Sequence, residues 1–441
     1  MNRLFPVFCF LTVCAAGVSS TAETVPLTVA DARTRAITFN RQFLSAKEDV
    51  KKAGAQITQA RAGLFPDISA EGSYTRNFLV PTFYIFSDSG TLAFKTGSDN
   101  NFGAGISVSQ PIWEGGKVLN AWAISKLYHK YTQAGLEQTE ASVLYTAELL
   151  FFNTILQRAN LEVLQKAFEA NSHNLDVVEK FYAKGMASEF ELLRARVEKA
   201  NLMPGILAAE SDVTLAEKRL KSFLGLNLSD SIVIIEEAGD TSLVELPPLD
   251  RLLDTALAHR PEVQRSHYLT QMTKRAIRVA QGDYQPTLDA NAHYGWQAQS
   301  NDFQFDNQTR SLTAGLTLSI PLFQGGKTRG EVAYRRADYN QALLADQQMK
   351  DDVRLEVEQA YDLLMQAKKS LDVQKETIAQ AEEGLRIANL RYSSGVGTQL
   401  DVLSAQASLT DARRAHALAL NFFRQARAGL KKATTIDLDM K

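Results

Sequence analysis

Residues 110–117, QPIWEGGK, return as 320–327, IPLFQGGK, so that Pro111 falls on Pro321, Gly115 on Gly325, Gly116 on Gly326 and Lys117 on Lys327, each 210 positions later. The same offset carries Tyr182 to Tyr392, Gly185 to Gly395 and Glu191-Leu192-Leu193 to Asp401-Val402-Leu403. Upstream the offset is 220: Ala60 falls on Ala280, Pro66 on Pro286, Ala70 on Ala290 and Tyr74 on Tyr294. The first copy therefore holds ten extra residues between Tyr74 and Gly105, the difference between the two offsets. A chain written twice in this way is a duplicated segment, with one repeat over 23–247 and the second over 248–441.

Each copy reads helix, strand, strand, long helix, turn, helix. In the first copy the opening helix is expected from Thr28, an N-cap with Asp31 three residues on, to Ala62, where Gly63 and Pro66 stop it. In the second it starts near Pro247-Pro248-Leu249 and ends near Gly282 and Pro286. From Lys117 to Ala183, Leu161, Leu164, Phe168, Leu175, Val178 and Tyr182 recur at steps of three, four and seven. That helix is about 100 Å long at 1.5 Å per residue, too long for an ordinary bundle core. Its partner, expected from about Ser188 to Phe223, is near half that length, so two short helices can stack beside one long one. Residues 225–248 read as the linker between copies.

Four segments alternate strictly, at about 67–77, 102–112, 286–297 and 310–322. Leu288, Ala290, Ala292, Tyr294 and Trp296 share one face of the third; Thr287, Asp289, Asn291, His293 and Gly295 share the other. Alternation alone also suits a soluble sheet. Strands of about ten residues whose second face carries small polar groups instead suit membrane strands, apolar outward and polar toward a wet lumen. Four strands cannot close, closed barrels start at about eight, and an open edge in hydrocarbon leaves amides unsatisfied. The barrel is therefore shared among subunits.

Composition narrows the class. A formal net charge of -2 lacks the basic excess of a nucleic-acid binder. Arg3, the apolar stretch Leu4 to Val13 and Ser20-Thr21-Ala22 read as a signal peptide over 1–22, too short in its apolar part to span a bilayer. The only cysteines, Cys9 and Cys14, fall inside it, and lipidation of Cys14 is the lesser alternative. No cofactor and no metal is expected. The six histidines, at 129, 173, 259, 267, 293 and 416, form no HExxH, and Gly115-Gly116 and Gly325-Gly326 lack the sequel of a phosphate loop. An enzyme is the main rival class; an adhesive coiled-coil protein is the other, and it has no use for two hairpins with a polar face.

The ordered set P-x-[IL]-x5-Y, then P-[IL]-[WF]-x-G-G-K, then Y-x-x-G-x5-[ED]-x-L, present twice, resembles the TolC-like outer-membrane efflux family over nearly the whole mature chain. The resemblance implies a mainly α fold with a small transmembrane β part. It also implies a homotrimer whose twelve-stranded β-barrel continues into a periplasmic α-helical barrel. It implies an outer-membrane channel that takes cargo from an inner-membrane pump (RND or ABC type) through a periplasmic adaptor, or else the outer-membrane component of type I protein secretion. Adaptor docking would fall at the tips, Gly185, Gly395, Val396, Gly397 and Thr398. The entrance would be constricted by Asp401 and Glu191 with Tyr392, while Gly397 stands where a network arginine is expected and Ser404 where a second acid is. A plain helix N-terminal carboxylate is the other reading of Asp401. The strand–helix junctions would be Pro111, Gly115, Gly116, Pro321, Gly325 and Gly326.

Overall fold

The computed structural model describes residues 24–88, 90–236, 246–305 and 307–436. The signal peptide expected over 1–22, with Cys9 and Cys14, lies outside them. In chain order the first copy gives β1 (Thr24–Leu27), α1 (Val29–Phe39), α2 (Arg41–Ala62), β2 (Asp67–Arg76), β3 (Thr82–Ser87), β4 (Gly90–Lys95), β5 (Asn100–Glu114), α3 (Lys117–Ala183), α4 (Glu189–Phe223) and β6 (Ser231–Ile234). The second gives α5 (Leu249–His259), α6 (Pro261–Gln281), β7 (Thr287–Ser300), β8 (Asn307–Ser319), α7 (Lys327–Ser393) and α8 (Gln399–Thr434).

The long helix and its half-length partner lie where the apolar spacing puts them. The opening helix does not: it is two helices in each copy. Thr28 and Asp31 form the expected capping box, Asp31 N–H donating to Thr28 Oγ1 at 3.1 Å and Thr28 N–H to Asp31 Oδ2 at 3.0 Å. The helix then stops at Phe39, because Asn40 is extended at φ -67° and ψ 124°. The buried Asn40 amide caps another end instead, donating from Nδ2 to Phe223 O at 3.3 Å. Arg260, 220 positions on, makes the same break at φ -65° and ψ 130°. There the cause is visible in the sequence, since Pro261 disfavours helical backbone at the residue before it.

The chain divides into two compact units, and each draws on both copies. One comprises 41–142, 246–363 and the end of α8. Its centre is an antiparallel sheet in the order β2-β5-β7-β8. Register keeps the two faces apart. Ala70, Ile106, Tyr294 and Leu312 stand in one row, and Ser69, Ser107, His293 and Thr313 in the next. The apolar row is open to the surroundings: Ile106 is 49 % exposed, Tyr294 47 % and Leu312 75 %. On the other face Ser107 Oγ meets His293 Nδ1 at 3.1 Å.

The strand bounds differ from expectation mainly at β8, which stops at Ser319 and not at Leu322. The ten extra residues of the first copy are accommodated by an unforeseen hairpin, β3 with β4, pairing Phe83 with Phe94 and Ile85 with Leu92. At that end of the sheet Tyr74, Phe102, Phe303, Phe305 and Trp296 form an aromatic cluster with ring centres 4.7–5.8 Å apart. Residues of this kind gather at the bilayer interfaces of membrane barrels.

The other unit comprises 24–40, 143–236 and 364–428. Among its described residues the sheet is the parallel pair β1–β6, which turns part of the expected linker into a strand. Leu27, Leu220 and Leu224 are fully buried there. Of the stripe read along α3, Val178 is buried against Leu192 and Ala195, whereas Tyr182 is 43 % exposed.

Candidate functional site

The ends of α3 and α7 turn into α4 and α8 through the same few hydrogen bonds. In the first copy Met186 N–H donates to Phe181 O at 2.8 Å and Gly185 N–H to Tyr182 O at 2.9 Å. In the second Val396 N–H donates to Arg391 O at 2.9 Å and Gly395 N–H to Tyr392 O at 3.0 Å. This is the helix-ending motif that needs a left-handed residue. Gly185 (φ 70°) and Gly395 (φ 73°) supply it, since glycine alone adopts that backbone without steric cost.

Three residues after each glycine the new helix is capped in the same way. Ser188 and Glu191 form a capping box, with Ser188 N–H donating to Glu191 Oε2 at 2.8 Å. Thr398 and Asp401 do likewise: Thr398 N–H donates to Asp401 Oδ2 at 2.9 Å, and Asp401 N–H to Thr398 Oγ1 at 3.2 Å. Both candidate acids are therefore held inside their own caps. The bonds from Thr398 hold the Asp401 carboxyl below its ordinary range, backbone N–H first, and the nearby charge of Arg391 adds to them.

The structure joins the two tips. Gln399, 2 % exposed, donates from Nε2 to the Glu191 carbonyl at 3.1 Å. Phe181 and Tyr392 face each other with ring centres 5.9 Å apart. Burial raises the Tyr392 phenol pKa, and the Glu191 charge raises it further. Gly397 has a local reason of its own. A Cβ there would come within 2.9 Å of Arg391 Cβ and 3.0 Å of Tyr392 N, so the turn closes only around glycine. The cation beside Asp401 is thus Arg391, six residues before the glycine.

Of the side chains around the turns, the sequence reading named Val396 but missed Gln399, Met186, Phe190 and Leu400. Met186 is 69 % exposed, Phe190 71 %, Val396 75 % and Leu400 50 %. Met186 and Val396 are 210 apart, as are Phe190 and Leu400, so the duplication itself was the signal that could have found them. Behind the tips a groove of about 540 Å³ is lined by His173, Phe181, Arg386, Asn389, Tyr392 and Gln406, among others. Among the described residues no three His, Cys, Asp or Glu come together to hold a metal ion. No described helix is long and apolar enough to cross a membrane.

The junction residues belong to the other unit. Gly115 (φ 61°) and Gly116 (φ 75°) carry β5 into α3, and Gly325 (φ 61°) and Gly326 (φ 86°) carry the segment after β8 into α7. Pro111 stands at a bulge of β5, where a residue without an N–H breaks no ladder bond, and Pro321 follows the end of β8. Gly115 is tightly enclosed: a Cβ on it would meet Gln285 Cβ at 2.8 Å and Gly282 Cα at 3.0 Å. Gly325 meets nothing within 4 Å.

Comparison with known proteins agrees with this architecture. The family model described as "Outer membrane efflux protein" matches residues 33–226 and 252–435. Outer membrane protein TolC of Escherichia coli (strain K12) is 22 % identical over 432 residues, covering 94 % of this chain and 82 % of TolC. Outer membrane efflux protein BepC of Brucella suis biovar 1 (strain 1330) is 23 % identical over 391 residues, covering 87 % of this chain and 79 % of BepC. The crystal structure of CusC superposes with a TM-score of 0.78 at 18 % identity, covering 95 % of each chain.

Proposed function

The chain belongs to the outer membrane efflux protein family, and from that premise we propose that it is the outer-membrane conduit of a tripartite export system. Family membership makes it an outer-membrane channel protein with a long periplasmic helical part, and not an enzyme. The proposal adds the assembly: three chains, each giving four strands to a twelve-stranded barrel. It also adds a periplasmic adaptor at the tips and an inner-membrane pump behind it.

One observation carries this reading. The sheet β2-β5-β7-β8 has one apolar and one polar face and, among the described residues, two unpaired edges. Such a sheet cannot sit in hydrocarbon unless other strands satisfy its edge amides. Chains of the same kind can do so.

Docking at the tips is supported by apolar side chains held outward on capped, glycine-closed turns: Met186, Phe190, Val396 and Leu400. The gate is read as a ring of Asp401 carboxylates, one per subunit, joined by Glu191 and backed by Tyr392. Rings of carboxylates favour cations in pores. The ring is modest, because each acid also serves its own cap and Ser404 is neutral.

The test is a photo-crosslinking residue at Val396 in the membrane-assembled protein. Capture of a periplasmic adaptor is the expected result. Capture of nothing while export proceeds would remove the docking assignment. In planar bilayers, Asp401→Asn with Glu191→Gln should lower cation preference; unchanged selectivity would leave both acids as capping residues only.

A further inference from the structure

The duplication allows the missing edge contacts to be written residue by residue. The β2–β5 hairpin moved along by its offsets, 220 for β2 and 210 for β5, turns Asp67↔Ser109 into Thr287↔Ser319 and Tyr74↔Phe102 into Tyr294↔Leu312. Those are the pairs found in β7–β8. The offsets therefore hold in space as well as in sequence.

The chain also contains one seam between its copies, β5 against β7, where opposed residue numbers add to 400, as in Ser107↔His293. Advancing β5 by 210 gives β8, and moving β7 back by 220 gives β2. We infer that β8 pairs antiparallel with β2 of a second copy of this chain in the register where opposed residue numbers add to 390, repeating between chains the seam found within one. Thr317 then opposes Ser73, and Leu316 opposes Tyr74. This inference rests on the shared-barrel reading above and goes beyond it by giving the register.

Three further observations agree. The pairing keeps faces matched, since Leu316 and Tyr74 are both on the apolar face while Thr317 and Ser73 are both on the polar one. It also opposes Ile320 to Ala70 and, past the bulge that the inner seam has between Pro111 and Trp113, Phe323 to Ile68, continuing β8 past Ser319 as β5 continues to Glu114 beside β7. Leu322 and Phe323, 92 % and 88 % exposed in the single chain, then lie on a paired strand. Lastly, Gly115 abuts Gly282 and Gln285 within the chain, so its equivalent Gly325 abuts Ala62 and Phe65 of the second copy. Phe65 is 52 % exposed and Gly325 has open space around it.

The two seams are not equally fastened. Within the chain Lys117 pairs with Asp283, Arg275 Nη1 donates to Asn120 Oδ1 at 3.3 Å, and Arg265 Nη2 to Tyr131 Oη at 2.8 Å. At the equivalent places between chains, Lys327 faces Gly63, Ala55 faces Gly330, and Ser45 faces Gln341. The seam between chains lacks these polar fasteners.

The decisive experiment is disulfide trapping in outer membranes with Ser73→Cys combined with Thr317→Cys. The equivalent side chains within the chain, Ser107 and His293, touch at 3.1 Å, so this pair is within bonding reach. Under oxidation the monomer band on denaturing gels should convert to covalent dimer and trimer that dithiothreitol dissolves. Either single cysteine should leave it monomeric. Slipped pairs, Ser73→Cys with Gly315→Cys or with Ser319→Cys, should give little product. Preferred trapping of a slipped pair would overturn the register while keeping a barrel closed between chains. Trapping at none of the three, in membranes holding native oligomer, would overturn the shared barrel as well. As a second measurement, Ala55→Arg with Gly330→Asn transplants the Arg275–Asn120 contact onto the chain seam. The temperature at which native trimer converts to monomer should rise in the double variant and not in the singles. No rise would count against the equivalence of the seams.

Discussion

The two tips of this chain are near copies of each other, whereas the two strand–helix junctions made from the same repeat are not. At the tips, Gly185 and Gly395 share one backbone conformation, and Ser188–Glu191 and Thr398–Asp401 form the same box. At the junctions, Gly115 is enclosed by Gly282 and Gln285 while Gly325 stands open. A tip is closed by bonds among residues a few positions apart, so a duplicated sequence duplicates it. A junction is completed by a distant segment, and only the first copy finds that segment within its own chain.

The largest effect should separate the faces of the sheet that both junctions serve. Leu316→Arg places a charge toward lipid at a cost of about 2–4 kcal/mol near the midplane. Oligomer recovered from outer membranes should fall steeply, while Thr317→Arg, on the polar face, should leave it near wild type. Equal losses would break the assignment of faces.

Next comes the contrast between junctions. Gly115→Ala and Gly325→Ala both pay roughly 1–2 kcal/mol for a left-handed alanine. Only Gly115→Ala also collides within its own chain, so it should lower the melting temperature of the detergent-solubilised protein further. Gly325→Ala should instead act on how readily the oligomer dissociates. Identical behaviour would mean that the junctions are equivalent after all.

A smaller effect tests the likeness of the tips. Ser188→Ala and Thr398→Ala should each cost about 1 kcal/mol of local helix stability. Amide exchange in the first turns of α4 and α8 should quicken to a similar degree, with barrel insertion untouched. A response at one tip alone would end the symmetry.

The smallest is a pH effect at Asp401. Its folded pKa lies below the ordinary carboxylate value, so its contribution is present above about 3.9 and is lost as pH falls through the depressed folded value. Protection of the first turn of α8 should decline over that acidic window, and Asp401→Asn should remove the dependence. A decline that survives the substitution belongs to another group.

Much of the molecule was legible because its signals are local or periodic. The bounds of α3 follow from apolar spacing that ends at a glycine, and the capping box at Thr28 from two residues three apart. The sheet faces follow from period-two alternation. Tip geometry was readable at Gly185 and Gly395 because a left-handed turn needs glycine. The break at Asn40 was not readable, since nothing beside it forbids helix and the cause is a distant carbonyl, Phe223 O. At Arg260 the following Pro261 was a legible cue.

By itself, then, the sequence determined the repeat, its helices, its alternating strands and the residues of its turns, all set by bonds or patterns within a few positions. Which segments meet was left to the tertiary structure. It brought β1 onto β6, set Gln399 on the Glu191 carbonyl, and placed Arg391 beside Asp401. It also enclosed Gly115 and left Gly325 open. Contacts of that kind join residues up to some two hundred positions apart, where no local pattern constrains the pairing and only the packed chain selects it.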